Sequence, residues 1–249
     1  MPNLSRLDKN ALSNIIKGLA GNANKIFQSE AQFQFDLAWE LKRIYNCNVI
    51  LEDKRAIKTN TVGKIVQKFY TDIVLEDVKD NYSVAIELKY KTAEYPRGVS
   101  NPILFDHDAV DLGRYDYLWD VYRIELFTGK STANGVSVTC KCNKGFAVLL
   151  TNEKKYWQQS YINSANIDKE FLIGAGTNKL YSNLMDWKKD PNKCPNNYMF
   201  YPKTVLTKTN KPTFRAQPIH LDQAYKYKWE VYQNTGQPNG DFKFVIIEV

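Results

Sequence analysis

Histidine is almost missing from this chain, with only His107 and His220 among 249 residues. The four cysteines, Cys47, Cys140, Cys142 and Cys194, are too few and too irregularly spaced for a disulfide framework. Cys140 and Cys142 flank a single lysine, but no second ligand pair follows at zinc spacing, so reduced and inert thiols are expected. With so little imidazole and thiol, a His-based or Cys-based catalytic centre has little to draw on. No apolar run approaches the roughly 18 residues of a membrane span. Residues 1–18 also lack the unbroken apolar core of a secretory signal. The expectation is a cytoplasmic protein without a membrane partner. Internal repeats and low-complexity linkers are absent as well.

What is present is ordinary in bulk and uneven in detail. Hydrophobic residues make up 43% and charged residues 24%, values of a globular chain long enough for a substantial core. The net charge of +7 favours a polyanionic partner. Between residues 190 and 220 the cations Lys193, Lys203, Lys208, Lys211 and Arg215 are opposed only by Asp190. Tyr198, Phe200, Tyr201 and Phe214 are interleaved with them, a mixture that suits a surface tracking a nucleic-acid backbone and stacking on bases. A solvated loop whose aromatics tuck into the core would read the same way.

Periodicity divides the chain into helices and strands. A first helix is predicted over 4–19, and a second over 30–45 with Ser29 as N-cap and Phe33, Leu37, Leu41 and Ile44 as its apolar stripe. Strands are predicted over 48–52, 72–75 and 83–89, with a basic stretch of no clear period at 54–68. A long helix is expected over 106–125, a buried strand over 144–150 and a closing strand over 242–249. The order fits one α/β domain with a central mixed β-sheet flanked by helices: a core over about 29–150 and a basic C-terminal extension with the closing strand over 151–249.

The most informative stretch is residues 71–92, TDIVLEDVKDNYSVAIELKYKT, two apolar strands joined by a polar turn. Asp72 stands at the mouth of the first strand. Glu87 and Lys89 lie two apart near the end of the second and so share a face. Strand pairing can bring Asp72 beside them. Two carboxylates and an ammonium at a strand end are what holding Mg²⁺ and aiming a water at phosphate require. The competing reading is a sheet-edge ion pair between Asp72 and Lys89, with Glu87 capping a loop.

Thr71-Asp72 followed by Glu87-Leu88-Lys89, with Glu30 on an upstream helix, resembles the PD-(D/E)xK nuclease superfamily, the restriction-endonuclease-like fold. Thr71 replaces the usual proline. The resemblance spans about residues 29–150. It implies that Asp72, Glu87 and the Leu88 carbonyl ligate Mg²⁺ or Mn²⁺, that Lys89 orients or helps deprotonate the attacking water, and that Glu30 contacts the metal directly or through water. Gln34, one turn after Glu30, could support it.

Further candidates concern substrate. Asp111 and Tyr115 sit one turn apart on the long helix, where some members of the superfamily carry Gln and Tyr. Arg114 and Arg123 would touch phosphates, or pair with Asp111 and Asp120 at helical spacing. Leu149-Leu150-Thr151-Asn152 ends a strand just before Lys154, Lys155, Tyr156 and Trp157, where the lysines and Trp157 could grip a strand or the aromatics cover the core. The expected function is metal-dependent hydrolysis of phosphodiester bonds, in DNA rather than RNA, in restriction, defence or repair. A homodimer or larger complex is expected if both strands are cut. The alternatives are a nucleic-acid-binding module of the same fold without turnover, and a subunit docking its basic C-terminal region on an acidic protein.

Overall fold

The structure, a computed structural model, describes residues 1–21, 25–59, 65–96, 103–107, 109–131, 136–138, 141–158, 167–179, 184–187 and 213–249. Its helices begin and end where the sequence supplies caps. Helix α1 (Lys9–Ala20) starts at Asp8, whose carboxylate accepts the Ala11 N–H, and closes at Gly21. The helix expected from residue 4 is therefore broken. Leu4–Arg6 is a separate 3-10 turn capped by Asn3, because Asp8 offers its own side chain to the next helix. Helix α2 (Glu30–Tyr45) is capped by Ser29 and ends at Asn46 in the left-handed region. Helix α3 (Val110–Thr128) starts later than predicted, since the His107 N–H is tied back to the Thr92 carbonyl at 2.8 Å. It ends at Gly129, whose φ of 68° turns its N–H onto the Glu125 and Leu126 carbonyls.

Seven strands form one mixed sheet: β1 (Asn48–Thr59), β2 (Ile65–Asp77), β3 (Tyr82–Lys91), β4 (Val136–Val138), β5 (Lys144–Thr151), β6 (Trp229–Asn234) and β7 (Asp241–Glu248), in the order β6-β7-β5-β3-β2-β1-β4. Among the described residues only β3 and β5 pair in parallel, and α3 lies in the connection between them. Both are covered on two faces, which explains their near-continuous apolar runs.

Two predictions of irregular chain are corrected. Strands β1 and β2 run on through most of 54–68 as a long hairpin. Its alternation is real but disguised: Lys54, Lys68 and Tyr70 are exposed while Phe69 and the cation Arg55 point inward. Arg55 can do so because Asp53 pairs with it at 2.9 Å and the Phe127 ring lies 5.1 Å beneath it. Edge strand β6 escaped notice because its register shifts between Val231 and Gln233, which breaks the period of two.

The sheet separates two apolar layers. Helices α1 and α2 cover Ile73, Leu75, Ile86, Leu88 and Val148. On the other face α3 covers Ala85, Ala147, Leu149 and Val245. The described part of the region after Thr151 is packed on α3, with Tyr156, Phe171, Trp187, Ile219 and Tyr227 buried in the same cluster. Among the described residues no helix is long and apolar enough to cross a membrane.

Helix α3 rests directly on β5 through Gly145. A Cβ there would stand 2.4 Å from Ile124 Cγ2 and 3.4 Å from the Ala85 carbonyl oxygen. Gly145→Ala is therefore expected to destabilise the protein by about 1–3 kcal/mol through overpacking, read as a lower urea midpoint at an unchanged m-value.

Candidate active site

The β2–β3 ladder runs from Asp77↔Tyr82 to Ile73↔Ile86 and stops there. At the next position a side chain takes over from the main chain: Asp72 Oδ2 accepts the Leu88 N–H at 2.5 Å. The freed Asp72 carbonyl accepts from Gln34 Nε2 at 2.7 Å, and the same amide reaches Glu52 Oε1 at 2.8 Å. Glu52 itself sits at φ 53°, a local twist in β1 opposite Asp72. Glu30, the first residue of α2, accepts the Tyr90 N–H on Oε2 at 2.7 Å. Asp72 thus lies within β2 rather than at its mouth, and the first turns of α2 are latched to both parting strands.

Glu87 and Lys89 share the face of β3 that meets α3. Glu87 Oε2 lies 2.9 Å from Arg123, and Lys89 Nζ lies 2.9 Å from Asp120 Oδ2. Asp120 and Arg123 also pair with each other, one helical turn apart. The edge ion pair between Asp72 and Lys89 does not form, and Glu87 sits inside a central strand rather than capping a loop. The i,i+3 pair of Asp120 and Arg123 was visible in the sequence. Their reach to Lys89 and Glu87 was not, because it depends on where α3 crosses β3.

Crowding of charge in a buried place sets the protonation states. Burial pushes Asp72 up to about 7, with Asp120 and Glu30 adding to the effect and Lys89 and the Leu88 N–H opposing it. Burial likewise holds Glu87 well above the usual carboxylate range, although Arg123 counters it. For Lys89, burial works toward the neutral amine. The surrounding carboxylates of Asp120, Glu30, Asp72 and Glu87 outweigh it and hold the ammonium above its ordinary value. Lys89 is therefore a fixed cation, suited to orienting a water or offsetting charge and unsuited to taking its proton.

The groups around Asp72 offer oxygen donors of the kind a divalent cation takes. Glu87 Oε1 is buried and has no hydrogen-bond partner, although Oε2 is engaged by Arg123. The Leu88 carbonyl faces Lys89 Nζ at 3.3 Å. Among the described residues no three His, Cys, Asp or Glu side chains converge as a metal cage. Two carboxylates and a carbonyl fit Mg²⁺ or Mn²⁺, ions that complete their shell with water and substrate oxygens, better than a closed structural site.

The outlying candidates divide. Arg114 is 4% exposed, pairs with Asp168 and donates to the Lys155 carbonyl, so its charge is engaged inside the protein. Trp157 is also buried, with its ring 5.8 Å from Trp229 and Lys243 over its face. Tyr115 donates to the Gln217 carbonyl at 2.8 Å within an aromatic cluster, while Asp111 accepts from the Leu112 N–H. Asn152 is fully buried and clamps the main chain of Ala93. Lys154 is half-buried and Lys155 exposed, both on a short 3-10 turn. Lys208 and Lys211, with Lys193, Lys203, Tyr198, Phe200 and Tyr201, lie outside the described residues. Arg215 is brought to the centre: a cavity of about 240 Å³ joins Lys89, Asp120 and Arg123 to Asp116 and Arg215. A larger cavity of about 420 Å³ lies at the other end of β2, near Asp77 and Lys79, and meets none of these groups.

No family model, curated protein or solved structure matches this chain.

Asp72 supplies a pH test of the geometry. An acid whose folded value is raised from 3.8 to about 7 binds its proton more tightly in the native state, so stability falls as pH rises across that window. Asp72→Asn keeps the oxygen that accepts from Leu88 and loses the titration. Urea unfolding between pH 4 and pH 7 is expected to show a shallower decline in the variant than in the wild type.

Proposed function

We propose that this protein is a metal-dependent nuclease of the PD-(D/E)xK type, hydrolysing phosphodiester bonds in DNA. One observation carries the reading: the Asp72 carboxylate replaces a ladder rung at Leu88. That bond sets it beside the Leu88 carbonyl and beside Glu87, whose Oε1 is buried without a hydrogen bond. The order β5-β3-β2, with α2 on one face and α3 on the other, supports a restriction-endonuclease-like core.

Asp72, Glu87 and the Leu88 carbonyl would hold Mg²⁺ or Mn²⁺. Bound there, the ion supplies charge neutralisation at the phosphate and a more acidic water. Lys89 contributes a fixed ammonium that orients that water and offsets negative charge growing on the transferred phosphorus oxygens. Asp120 holds the ammonium in place. Glu30 and Gln34 fix the spacing of the parted strands by holding the Tyr90 amide and the Asp72 carbonyl. Arg114 and Trp157 take no part in substrate contact, being buried.

The Glu87–Arg123 ion pair favours a second reading, a nucleic-acid-binding module of the same fold, because it already neutralises one ligand oxygen. Salt-sensitive DNA binding without turnover in any divalent metal would establish it. The nuclease reading expects cleavage supported by Mg²⁺ or Mn²⁺ and lost on chelation. Asp72→Ala, Glu87→Ala and Lys89→Ala should each reduce the rate by several orders of magnitude in a gel-based assay on single- and double-stranded DNA. Undiminished cleavage by Glu87→Ala would sink the mechanism.

A further inference from the structure

The cavity that opens beside Lys89 carries more than the site requires. Lys89, Asp120 and Arg123 form one side of it, and Asp116, Phe214 and Arg215 the other, with Trp119 also in its wall. Phe214 is 51% exposed. The turn that carries it is nevertheless anchored. Residues Phe214–Ala216 form a 3-10 turn pinned to α3 and its neighbours through three bonds. Trp187 Nε1 donates to the Arg215 carbonyl at 2.7 Å, the Tyr115 hydroxyl donates to the Gln217 carbonyl at 2.8 Å, and the Arg215 guanidinium grips Asp116 at 2.8 Å. That guanidinium also lies 5.1 Å from the Phe214 ring centre. Other aromatics are as exposed, among them Phe35, Trp39, Tyr70 and Phe105, but none of these lines the cavity that reaches Lys89.

An apolar face carried on a pinned turn, at the rim of a cleft whose far wall sets the Lys89 ammonium and the Arg123 guanidinium around Asp120, is matched by a flat, apolar-faced group joined to an anion that Lys89 can meet. A nucleotide is such a molecule. We infer that Phe214 is a stacking platform for one unpaired nucleobase next to the phosphate addressed by Lys89, with Arg215 fixing the platform from beneath. A paired base presents no free face, since its neighbours in the helix cover both. The inference rests on the nuclease reading for the choice of substrate, and it deepens that reading to single-stranded DNA or a splayed strand end.

The test measures binding of fluorescein-labelled oligothymidylate by anisotropy with Ca²⁺ in place of Mg²⁺, beside an all-abasic strand of the same length. Base–aromatic stacking sets the expected effect at about 5- to 150-fold. Phe214→Ala and Phe214→Leu, each with an unchanged thermal melt, should weaken binding of the thymidylate strand by that factor, whereas Phe214→Trp should retain it. On the abasic strand all four proteins should bind alike. Thymidylate affinity unchanged by Phe214→Ala and Phe214→Leu would overturn the platform, as would an equal loss on the abasic strand. The two ideas fail separately. A wild type that binds as described but cuts nothing in Mg²⁺ or Mn²⁺ removes the nuclease and keeps the platform. One that cuts while Phe214 proves indifferent does the reverse, and one that neither binds a strand nor cuts removes both.

Discussion

The main-chain amide of Leu88 is satisfied by a side chain rather than by the neighbouring strand, and the rest of the centre depends on that exchange. A buried amide has to find an acceptor. Had β2 supplied one from its backbone, the ladder would have continued past Ile73↔Ile86 and closed the cleft. Because Asp72 Oδ2 supplies it, β2 and β3 part at that point. The parting exposes the Tyr90 amide and the Asp72 carbonyl, which α2 takes up with Glu30 and Gln34. One substitution of side chain for ladder thus accounts for the position of three polar residues, Asp72, Glu30 and Gln34. It also explains why an acid whose burial disfavours its charge is tolerated at the centre of a sheet.

The same constraint separates what could be read in the sequence from what could not. Glu87 and Lys89 were legible because a period of two is a local property of a strand. Asp72 was legible because the polar turn between two apolar runs implies an antiparallel pair. The long hairpin beyond Glu52 was hidden by Arg55, an inward cation whose partners Asp53 and Phe127 are apparent only once the chain is folded. Glu87 and Arg123 stand 36 residues apart, and no spacing rule connects a strand to the helix that crosses it. Arg114 and Trp157 misled for the opposite reason: a cation and an indole near a strand end resemble a binding surface until burial is known. Arg114 compensates its burial with Asp168 and a carbonyl, which composition cannot reveal.

Arg215 shows how the C-terminal region joins the centre. Its surroundings in sequence suggested a diffuse basic loop. In space the turn that bears it is fixed to α3 by a bond from Tyr115 and to the segment beside it by one from Trp187, and its own charge is spent on Asp116. A bidentate guanidinium–carboxylate pair has little left to offer a phosphate. What the turn presents to the cleft is therefore shape and an aromatic face rather than free positive charge.

The charge balance of the cleft runs against that of the chain. The chain as a whole is +7, yet among the described residues four carboxylates, Glu30, Asp72, Glu87 and Asp120, meet two cations, Lys89 and Arg123. Burial, with the neighbouring carboxylates adding to it, raises the proton affinity of Asp72 and Glu87 and so reduces that excess. Adding a third basic residue would remove the excess at once, and the chain has 34 lysines and arginines to draw on. A fixed ammonium cannot be exchanged for substrate, however, whereas a divalent ion matches the excess charge for charge and shares its coordination shell with a phosphate oxygen. A deficit left among carboxylates in an otherwise basic protein is thus better matched to an exchangeable dication than to a structural ion pair, and on the proposed nuclease reading the attraction for a polyanion would lie in the ion and the surrounding surface rather than in the acids themselves.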